Sequence, residues 1–333
     1  MTYRLSLLIL TTSLLLAGCG GFARAAPAPT FTPLASATAS PLPTSTQTAA
    51  PSPIPTLTQT FTPSPIPTAT WVWQGPKAVQ VPILLYHHID VSPVNSRYYV
   101  TPEKFEEQIK LLRDWEYTTI TTEMLVKAIT EGASLPPRPI IITFDDANAD
   151  NYANAFPIMQ KYGFTGVLYI PFYYIGAPEK LTVDQIKEMT AAGWEVGSHS
   201  LTHPDVNDLD TARMRAEIVE SRKKLQELLG VPALTFAYPF GANSSAAVDY
   251  VKFAGYIAGM GATGFTADQG ISNLFVLQRC EIQGWEDAKT FIRFLPWRGD
   301  PAFLPTDTPT ATLRPTRTPI PTYTQYPTRT PSP

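Results

Sequence analysis

The middle of the sequence alternates short apolar runs with helical stretches, and this alternation restricts the chain to a few folds. Runs such as 139–144 and 165–170 are rich in β-branched and aliphatic residues, as buried strands are. A stretch with the length and the end signals of a helix follows each of them. Repeated strand-then-helix units favour a parallel sheet or barrel with helices packed outside it. We therefore expect an α/β fold.

The predicted elements begin and end at recognisable residues. Thr101 and Pro102 open a helix, because Thr caps a helix N-terminus and Pro suits its first turn. Gly163 and Gly230 end helices, because Gly adopts the left-handed conformation without a steric penalty. The predicted strands are 81–86, 139–144, 165–170, 194–197, 234–238, 256–260 and 274–277, and the predicted helices are 101–115, 122–129, 151–162, 182–192, 209–229 and 246–254.

Proline-rich and threonine-rich sequence at both ends bounds the part of the chain that can fold. The 34 prolines are concentrated in these ends, among Thr and Ser and with little charge before residue 71. Such segments cannot bury enough apolar surface to fold, so we expect a disordered linker over 20–75 and a disordered tail over 301–333. The intervening residues 76–300 suffice for one α/β barrel.

The N-terminus has the pattern of an export signal. Arg4 precedes an apolar run, 5–16, that is too short to span a bilayer. The sequence Leu-Ala-Gly-Cys at its end resembles a bacterial lipoprotein signal over 1–19. That resemblance implies a secreted chain anchored to the outer face of the membrane through a lipidated Cys19; a simple signal peptide cleaved nearby is the alternative. Cys280 then lacks a disulfide partner, and we expect it to be a small buried residue.

The net charge of −3, with no long basic run, gives no indication of nucleic acid as a partner. A nearly neutral surface suits a neutral ligand such as a glycan, although charge alone decides little.

Carboxylates and imidazoles follow the predicted strands at the points where these strands end. Asp145 and Asp146 follow one strand, and His199 and His203 follow another. In barrels of parallel strands, active sites assemble at this edge. Two imidazoles with one carboxylate are a common ligand set for a catalytic divalent metal, although each pair alone is equally consistent with a structural role. We expect one carboxylate to bind metal and the other to face the bound water, because adjacent side chains of an extended segment point apart.

Three motifs in this order resemble those of the polysaccharide deacetylase family, which is the NodB-homology group of carbohydrate esterases. Thr143–Asp146 matches the first motif, His199–His203 the second, and Tyr238–Gly241 much of the third. Pro82–His88 looks like the first strand of a branch that includes deacetylases of poly-N-acetylglucosamine. The resemblance covers about 81–283, and it implies an irregular (β/α) barrel of about seven units.

The resemblance also implies roles for the motif residues. Asp145 would be the general base, and Asp146, His199 and His203 would bind a divalent metal, usually zinc, with cobalt or nickel as alternatives. The backbone N–H of Phe240 would help to hold the tetrahedral oxyanion. The substrate would be an acetylated glycan.

The sequence departs from the family pattern at two points. Many relatives carry an Arg that steadies the base at the position where this chain has Ala237. We consider Arg279 a candidate to supply that positive charge. The alternative is that Arg279 forms an ordinary surface salt bridge. Many relatives protonate the leaving amine with a His late in the barrel, but no His follows His203 here. His87 and His88 are the imidazoles that remain for this role. We favour His87, because strand alternation turns only one residue of the pair inward; the alternative for His88 is a place in a solvent-facing loop.

The sequence thus predicts a monomeric, metal-dependent hydrolase that removes N-acetyl groups from a polysaccharide containing N-acetylglucosamine. An O-acetyl esterase acting on xylan-like polymers and a non-catalytic glycan-binding lipoprotein with a degraded site are the alternatives. Asp268 is a further candidate for orienting the acid. Tyr173 and Trp285 are expected to pack in the core rather than to stack on a sugar.

Overall fold

The computed structural model describes residues 71–262, 264 and 266–299. The predicted signal peptide with Cys19, the predicted linker up to residue 70 and the predicted tail lie outside the described residues. Within the described part, none of the helices is both long enough and apolar enough to cross a membrane.

The described part contains fourteen strands, several of them only two or three residues long. In chain order they are β1 (Val72–Gln74), β2 (Ala78–Gln80), β3 (Ile83–Tyr86), β4 (His88–Ile89), β5 (Tyr99–Val100), β6 (Thr118–Thr119), β7 (Ala133–Leu135), β8 (Pro139–Asp145), β9 (Val167–Ile170), β10 (Glu195–Ser198), β11 (Ala233–Ala237), β12 (Ala258–Met260), β13 (Asp268–Gly270) and β14 (Cys280–Glu281).

The helices fill the connections between these strands. They are α1 (Pro102–Asp114), α2 (Thr122–Thr130), α3 (Phe156–Tyr162), α4 (Val183–Ala191), α5 (Thr211–Arg215), α6 (Ser221–Leu229), α7 (Ser245–Phe253) and α8 (Ala288–Phe291). Two π-helical segments, Asn151–Ala155 and Ala216–Glu220, directly precede α3 and α6.

A curled sheet of parallel strands forms the centre of the fold. Seven strands follow the order β12-β11-β10-β9-β8-β3-β14, and β6 adds an eighth beside β8. Leu277 bridges to Met260 in β12, and β14 then pairs with β3, so one short segment connects the two ends of this order. The α/β fold and the irregular barrel of about seven units are therefore confirmed.

Helix α1 shows why the sequence within a single segment is sufficient to predict a helix. The side chain of Thr101 accepts a hydrogen bond from the backbone N–H of Lys104, and Pro102 occupies the first turn. The helix buries Phe105 and Ile109 against the sheet, which fixes its orientation.

Three predictions about the elements are wrong in detail. The expected strand 274–277 is not a strand; β14 begins instead at Cys280 and is defined by its pairing with β3. The expected single helix 209–229 is divided by the π-helical segment Ala216–Glu220. Strand β1, which pairs with β7, lies inside the segment expected to be linker. Strands β14 and β1 both exist through pairing with a distant part of the chain.

Burial agrees with the role expected of the cysteine in β14. Cys280 is fully buried, and this burial raises the pKa of its thiol to about 11. The thiolate is therefore scarce near neutral pH, as expected for a small core residue.

Candidate active site

A cavity of about 400 Å³ lies at the edge of the sheet where its parallel strands end. Its walls come from the ends of β3, β8 and β10, from the turns that follow β10 and β11, and from the segment before β5. The lining residues are Leu85, His87, His88, Arg97, Tyr98, Tyr99, Asp145, Asp146, His199, His203, Tyr238, Phe240, Ala262 and Glu281.

The three predicted metal ligands come together on one side of this cavity. Asp146, His199 and His203 each offer one ligand atom, and these atoms all lie within 4.8 Å of one another. Oδ1 of Asp146 is 3.2 Å from Nε2 of His203 and 3.7 Å from Nε2 of His199. That oxygen is buried and lacks a hydrogen-bond partner within the described part of the chain. A buried carboxylate oxygen without a partner is costly, and a cation at this position would satisfy it.

The surroundings of His199 prepare it to act as a ligand. Its Nδ1 atom donates a hydrogen bond of 2.8 Å to the carbonyl oxygen of Ala237. The lone pair of the neutral ring is then on Nε2, the atom that faces Asp146. Burial lowers the pKa of His199 to about 4, so the ring is neutral near pH 7. The donor set therefore fits a divalent metal.

Several residues around the cavity adopt left-handed backbone conformations, which are costly for residues other than Gly. They are Asp146 (φ 73°), Ala147 (52°), Ser200 (73°), His203 (61°) and Phe240 (57°). At Asp146 this conformation ends the extended strand immediately after Asp145.

Our expectation that the two carboxylates point apart is therefore wrong. Asp145 and Asp146 both line the cavity. Nε2 of His199 is 3.6 Å from Oδ2 of Asp145 and 3.7 Å from Oδ1 of Asp146. The expectation assumed that the extended conformation continues through Asp146. The backbone of Asp146 is left-handed instead, so both side chains can face the cavity.

Arg279 pairs with Asp145 but does not line the cavity. Its Nη1 and Nη2 atoms donate to the two carboxylate oxygens over 2.7 and 2.8 Å, and its Nε donates to the carbonyl oxygen of Gly261. Arg279 is fully buried, so the alternative of an ordinary surface salt bridge is wrong. It directly precedes β14 rather than following a strand at 274–277.

Two opposing effects act on the pKa of Asp145. Burial alone would raise it, but the charge of Arg279, helped by His199 and His87, outweighs burial and leaves the pKa below its ordinary value. Asp145 is thus ionised near neutral pH, which is the state that can accept a proton.

A buried carboxylate that the sequence analysis missed holds the loop carrying His203. Oε2 of Glu217 accepts hydrogen bonds from the backbone N–H groups of Leu201 (2.8 Å) and Thr202 (2.9 Å). Oε1 of Glu217 accepts a hydrogen bond of 2.6 Å from the hydroxyl of Thr202. Oγ of Ser200 accepts a further bond from the backbone N–H of His203. These bonds fix the backbone between the two imidazoles and at His203 itself.

His87 and His88 both line the cavity. The ring of His87 lies 4.7 Å from that of Tyr98, and burial lowers the pKa of His87, against the opposing charges of the two aspartates. His88 is not the solvent-facing loop residue that we expected. It lies in β4, where its Nδ1 atom is 2.7 Å from Oδ2 of Asp150.

The other residues singled out from the sequence are Phe240, Tyr173, Trp285 and Asp268, and only Phe240 lines the cavity. Phe240 lines the cavity in the turn after β11, and its ring lies 4.8 Å from that of His203. Tyr173 and Trp285 are 57% and 60% exposed, so their expected core packing is wrong. Asp268 accepts hydrogen bonds from Gln80 and Thr266 and does not line the cavity.

Comparisons with known proteins indicate the same family as the three sequence motifs. A family model described as polysaccharide deacetylase matches residues 132–259, which include all three motifs but neither His87 nor Arg279. The Bacillus subtilis (strain 168) protein YxkH, whose name also refers to polysaccharide deacetylation, is 30% identical over 184 residues, or 55% of this chain and 65% of that protein. The poly-beta-1,6-N-acetyl-D-glucosamine N-deacetylase of Staphylococcus aureus is 29% identical over 175 residues, or 47% of this chain and 59% of that enzyme.

A solved structure extends the likeness to the fold. The Streptococcus pyogenes deacetylase PplD, determined in complex with acetate, matches with a TM-score of 0.61 at 26% identity and covers 65% of this chain and 98% of that chain. The chain spans somewhat less than two thirds of the length of the curated relatives named above.

Proposed function

We propose that this chain is a member of the polysaccharide deacetylase family, a family of carbon–nitrogen hydrolases, and that it removes N-acetyl groups from a polysaccharide that contains N-acetylglucosamine. One observation carries the proposal: a metal-donor set and a separate ionised carboxylate share one cavity. The likeness to the S. aureus enzyme supports poly-N-acetylglucosamine as the first polymer to test.

We propose zinc as the metal, with cobalt and nickel as substitutes. Two imidazoles and one carboxylate are a frequent zinc ligand set that leaves positions open for water and substrate. Asp146, His199 and His203 would hold it. When bound, such a metal lowers the pKa of its water and polarises the acetyl carbonyl group.

Asp145 is the proposed general base, which accepts the proton of the attacking water. Arg279 engages both carboxylate oxygens and so fixes the plane of the carboxylate. A carboxylate has about four lone-pair positions, so it can accept a proton while it remains bonded to Arg279. Arg279 is accordingly a positioning residue.

Two further groups complete the proposed reaction. The backbone N–H of Phe240 stabilises the oxygen of the tetrahedral intermediate, and the tight turn of Pro239–Gly241 sets its position. His87, which lines the same cavity as Asp145, delivers a proton to the leaving nitrogen from the protonated form of its ring. The glucosamine nitrogen then leaves as a free amine, and the acyl group leaves as acetate.

The proposed place of action is the outer face of the cell membrane. A lipidated Cys19 would anchor the chain, and the Pro-rich and Thr-rich segment after it would separate the anchor from the catalytic part. The protein is proposed to act as a monomer on an acetylated glycan.

Acetate release from purified, zinc-loaded protein tests the proposal. Chitooligosaccharides, poly-N-acetylglucosamine and acetylxylan would be compared at equal protein concentration. Release from the N-acetylated glycans is expected. Release from acetylxylan alone would indicate an O-acetyl esterase, and no release from any glycan by protein with bound metal would contradict the hydrolase function on these substrates.

A further inference from the structure

His88 is held in one orientation by contacts on several sides. Its Nδ1 atom is 2.7 Å from Oδ2 of Asp150. Its ring stacks on that of Tyr99, with the two ring centres 4.0 Å apart and the planes only 3° from parallel. The ring of His88 therefore has little freedom to rotate.

Asp150 is itself fixed by the protein. Its Oδ1 atom accepts hydrogen bonds from the backbone N–H of Ile89 (2.8 Å) and from the side-chain amide of Asn151 (3.1 Å). The same amide of Asn151 also donates to the carbonyl oxygen of His87. Asp150, which orients His88, thus belongs to the hydrogen-bond network that fixes the residues directly after β3.

This arrangement determines which nitrogen of His88 is available. A carboxylate only accepts hydrogen bonds, so the proton of the neutral ring is on Nδ1 and the lone pair is on Nε2. In the described part of the chain, no group forms a hydrogen bond with Nε2 of His88. The side chain is 24% exposed and lines the cavity. His88 therefore presents a fixed hydrogen-bonding atom that the protein itself leaves unused.

The wall around His88 has the composition of a sugar-binding surface. Tyr98 and Tyr99 line the cavity beside it, and Tyr98 is 38% exposed. The guanidinium of Arg97 lies 4.8 Å from the centre of the Tyr98 ring and also approaches Glu281. Aromatic rings provide an apolar face for a pyranose ring, and a few fixed polar groups can bond its hydroxyls.

We propose that His88 is a substrate-binding residue whose Nε2 atom accepts a hydrogen bond from a hydroxyl of the sugar in the cavity, and that Asp150 is its positioning residue. The inference rests on the proposed function, since it assumes that the cavity holds a glycan. It assigns His88 a task separate from that of His87. The carboxylate that contacts His88 is that of Asp150, whereas neither aspartate of the reaction centre contacts it in the described part of the chain.

Steady-state kinetics of acetate release separate binding from proton delivery. A bond made equally in the bound state and in the transition state affects KM and leaves kcat nearly constant. His88→Ala is expected to raise KM for a chitooligosaccharide about tenfold, the size of one lost hydrogen bond, and to change kcat less than about threefold. His88→Gln, which keeps a polar side chain, is expected to recover part of the affinity.

Asp150→Asn tests the positioning role, with Asp90→Asn as its control. Asp90 is a neighbouring exposed carboxylate that does not line the cavity. The first variant is expected to raise KM by a smaller factor than His88→Ala, and the second is expected to leave both parameters unchanged. A fall in kcat at constant KM in His88→Ala would overturn the proposal and make His88 the proton donor. Unchanged kinetics in His88→Ala would overturn it as well.

A binding measurement keeps this inference separate from the proposed function. Zinc-loaded Asp145→Asn protein would be titrated with the chitooligosaccharide, with and without His88→Ala, while NMR reports the His88 ring nitrogens. We expect Nδ1 to carry the proton, the Nε2 signal to shift on binding, and Kd to rise about tenfold with His88→Ala. If acetate is never released but this pattern is found, only the catalytic function fails. Absence of oligosaccharide binding, or equal Kd values, would overturn the role of His88.

Discussion

Asp145 and Arg279 form an ion pair that is almost completely excluded from water. Their side chains are 3% and 0% exposed, and two parallel hydrogen bonds join them. A pair of this kind is costly to bury, but it is far costlier to break, because the remaining charge has neither water nor partner. The stability of the barrel and the ionisation of the base therefore depend on the same contact.

Replacing one member of this pair should destabilise the fold. We expect Arg279→Gln to lower the free energy of unfolding by about 3–5 kcal/mol, as measured by urea denaturation. The double variant Asp145→Asn/Arg279→Gln should be less destabilised than the sum of the two single variants, because it leaves no unpaired charge. Strictly additive losses would show that the two side chains do not depend on each other.

At the residue scale, the sequence was sufficient to place the candidate site residues at one edge of the sheet but not to give the directions of their side chains. Asp145, Asp146, His199 and His203 were found because they follow strands whose ends share one edge. The left-handed backbone of Asp146 was missed, because nothing in an Asp-Asp-Ala sequence requires it. The pairing of His88 with Asp150 was missed as well, because it joins residues 62 positions apart.

At the scale of the elements, the π-helical segment before α6 has a direct connection to the proposed metal centre. It carries Glu217, which is 4% exposed and accepts hydrogen bonds from the loop between the two proposed metal-binding imidazoles. A π turn contains an extra residue, which shifts the side chains relative to a regular helix. The sequence carries a usable signal here, because Glu217 lies next to Ile218 on the buried side of a helix, where an acid is not expected.

Loss of this carboxylate should weaken metal binding. We expect Glu217→Gln to reduce zinc affinity by about 10–100-fold, since groups that orient metal ligands have effects of this size. Competition with a chelator would measure the affinity, and thermal unfolding of the metal-free protein would separate it from general destabilisation. Glu227→Gln is the matched control, since Glu227 lies on the exposed side of the adjoining helix. Equal zinc affinity in both variants would contradict the role of Glu217.

The helices were predicted well and the short strands poorly, for a physical reason. Helix α1 is specified within its own segment by the Thr101 cap, Pro102 and the buried stripe. Strands β4, β5 and β14 have two residues each and exist through pairing with other parts of the chain. A two-residue strand carries no periodicity that a sequence pattern can detect.

At the scale of the whole molecule, parallel pairing gathers the chemistry on one side of the sheet. Every neighbouring pair in the central sheet is parallel, so all of its strands end at the same edge, and the cavity lies there. This is the general arrangement of active sites in parallel barrels. The proposed anchor would hold this catalytic part at the cell surface.

The anchor can be tested by changing one residue. We expect Cys19→Ser to move the protein from the membrane fraction into the medium or the soluble fraction when it is produced in a bacterial host. The reason is that the acyl chains would have no attachment site. Immunoblotting of the fractions would measure this, with Cys280→Ser as the control for loss of a cysteine. Equal membrane association of the Cys19 variant and the unaltered protein would show that lipidation at Cys19 is not the anchor.

The most direct test compares acetate release and bound zinc in the unaltered protein and in Asp145→Asn. A base that is distinct from the metal ligands predicts that the variant retains one zinc per chain but releases acetate from an N-acetylated oligosaccharide about 10²–10⁴-fold more slowly. If the single variant does not fold, Asp145→Asn/Arg279→Gln takes its place. Undiminished acetate release by a zinc-loaded variant would contradict the assignment of Asp145, and simultaneous loss of zinc would show that Asp145 belongs to the metal centre itself.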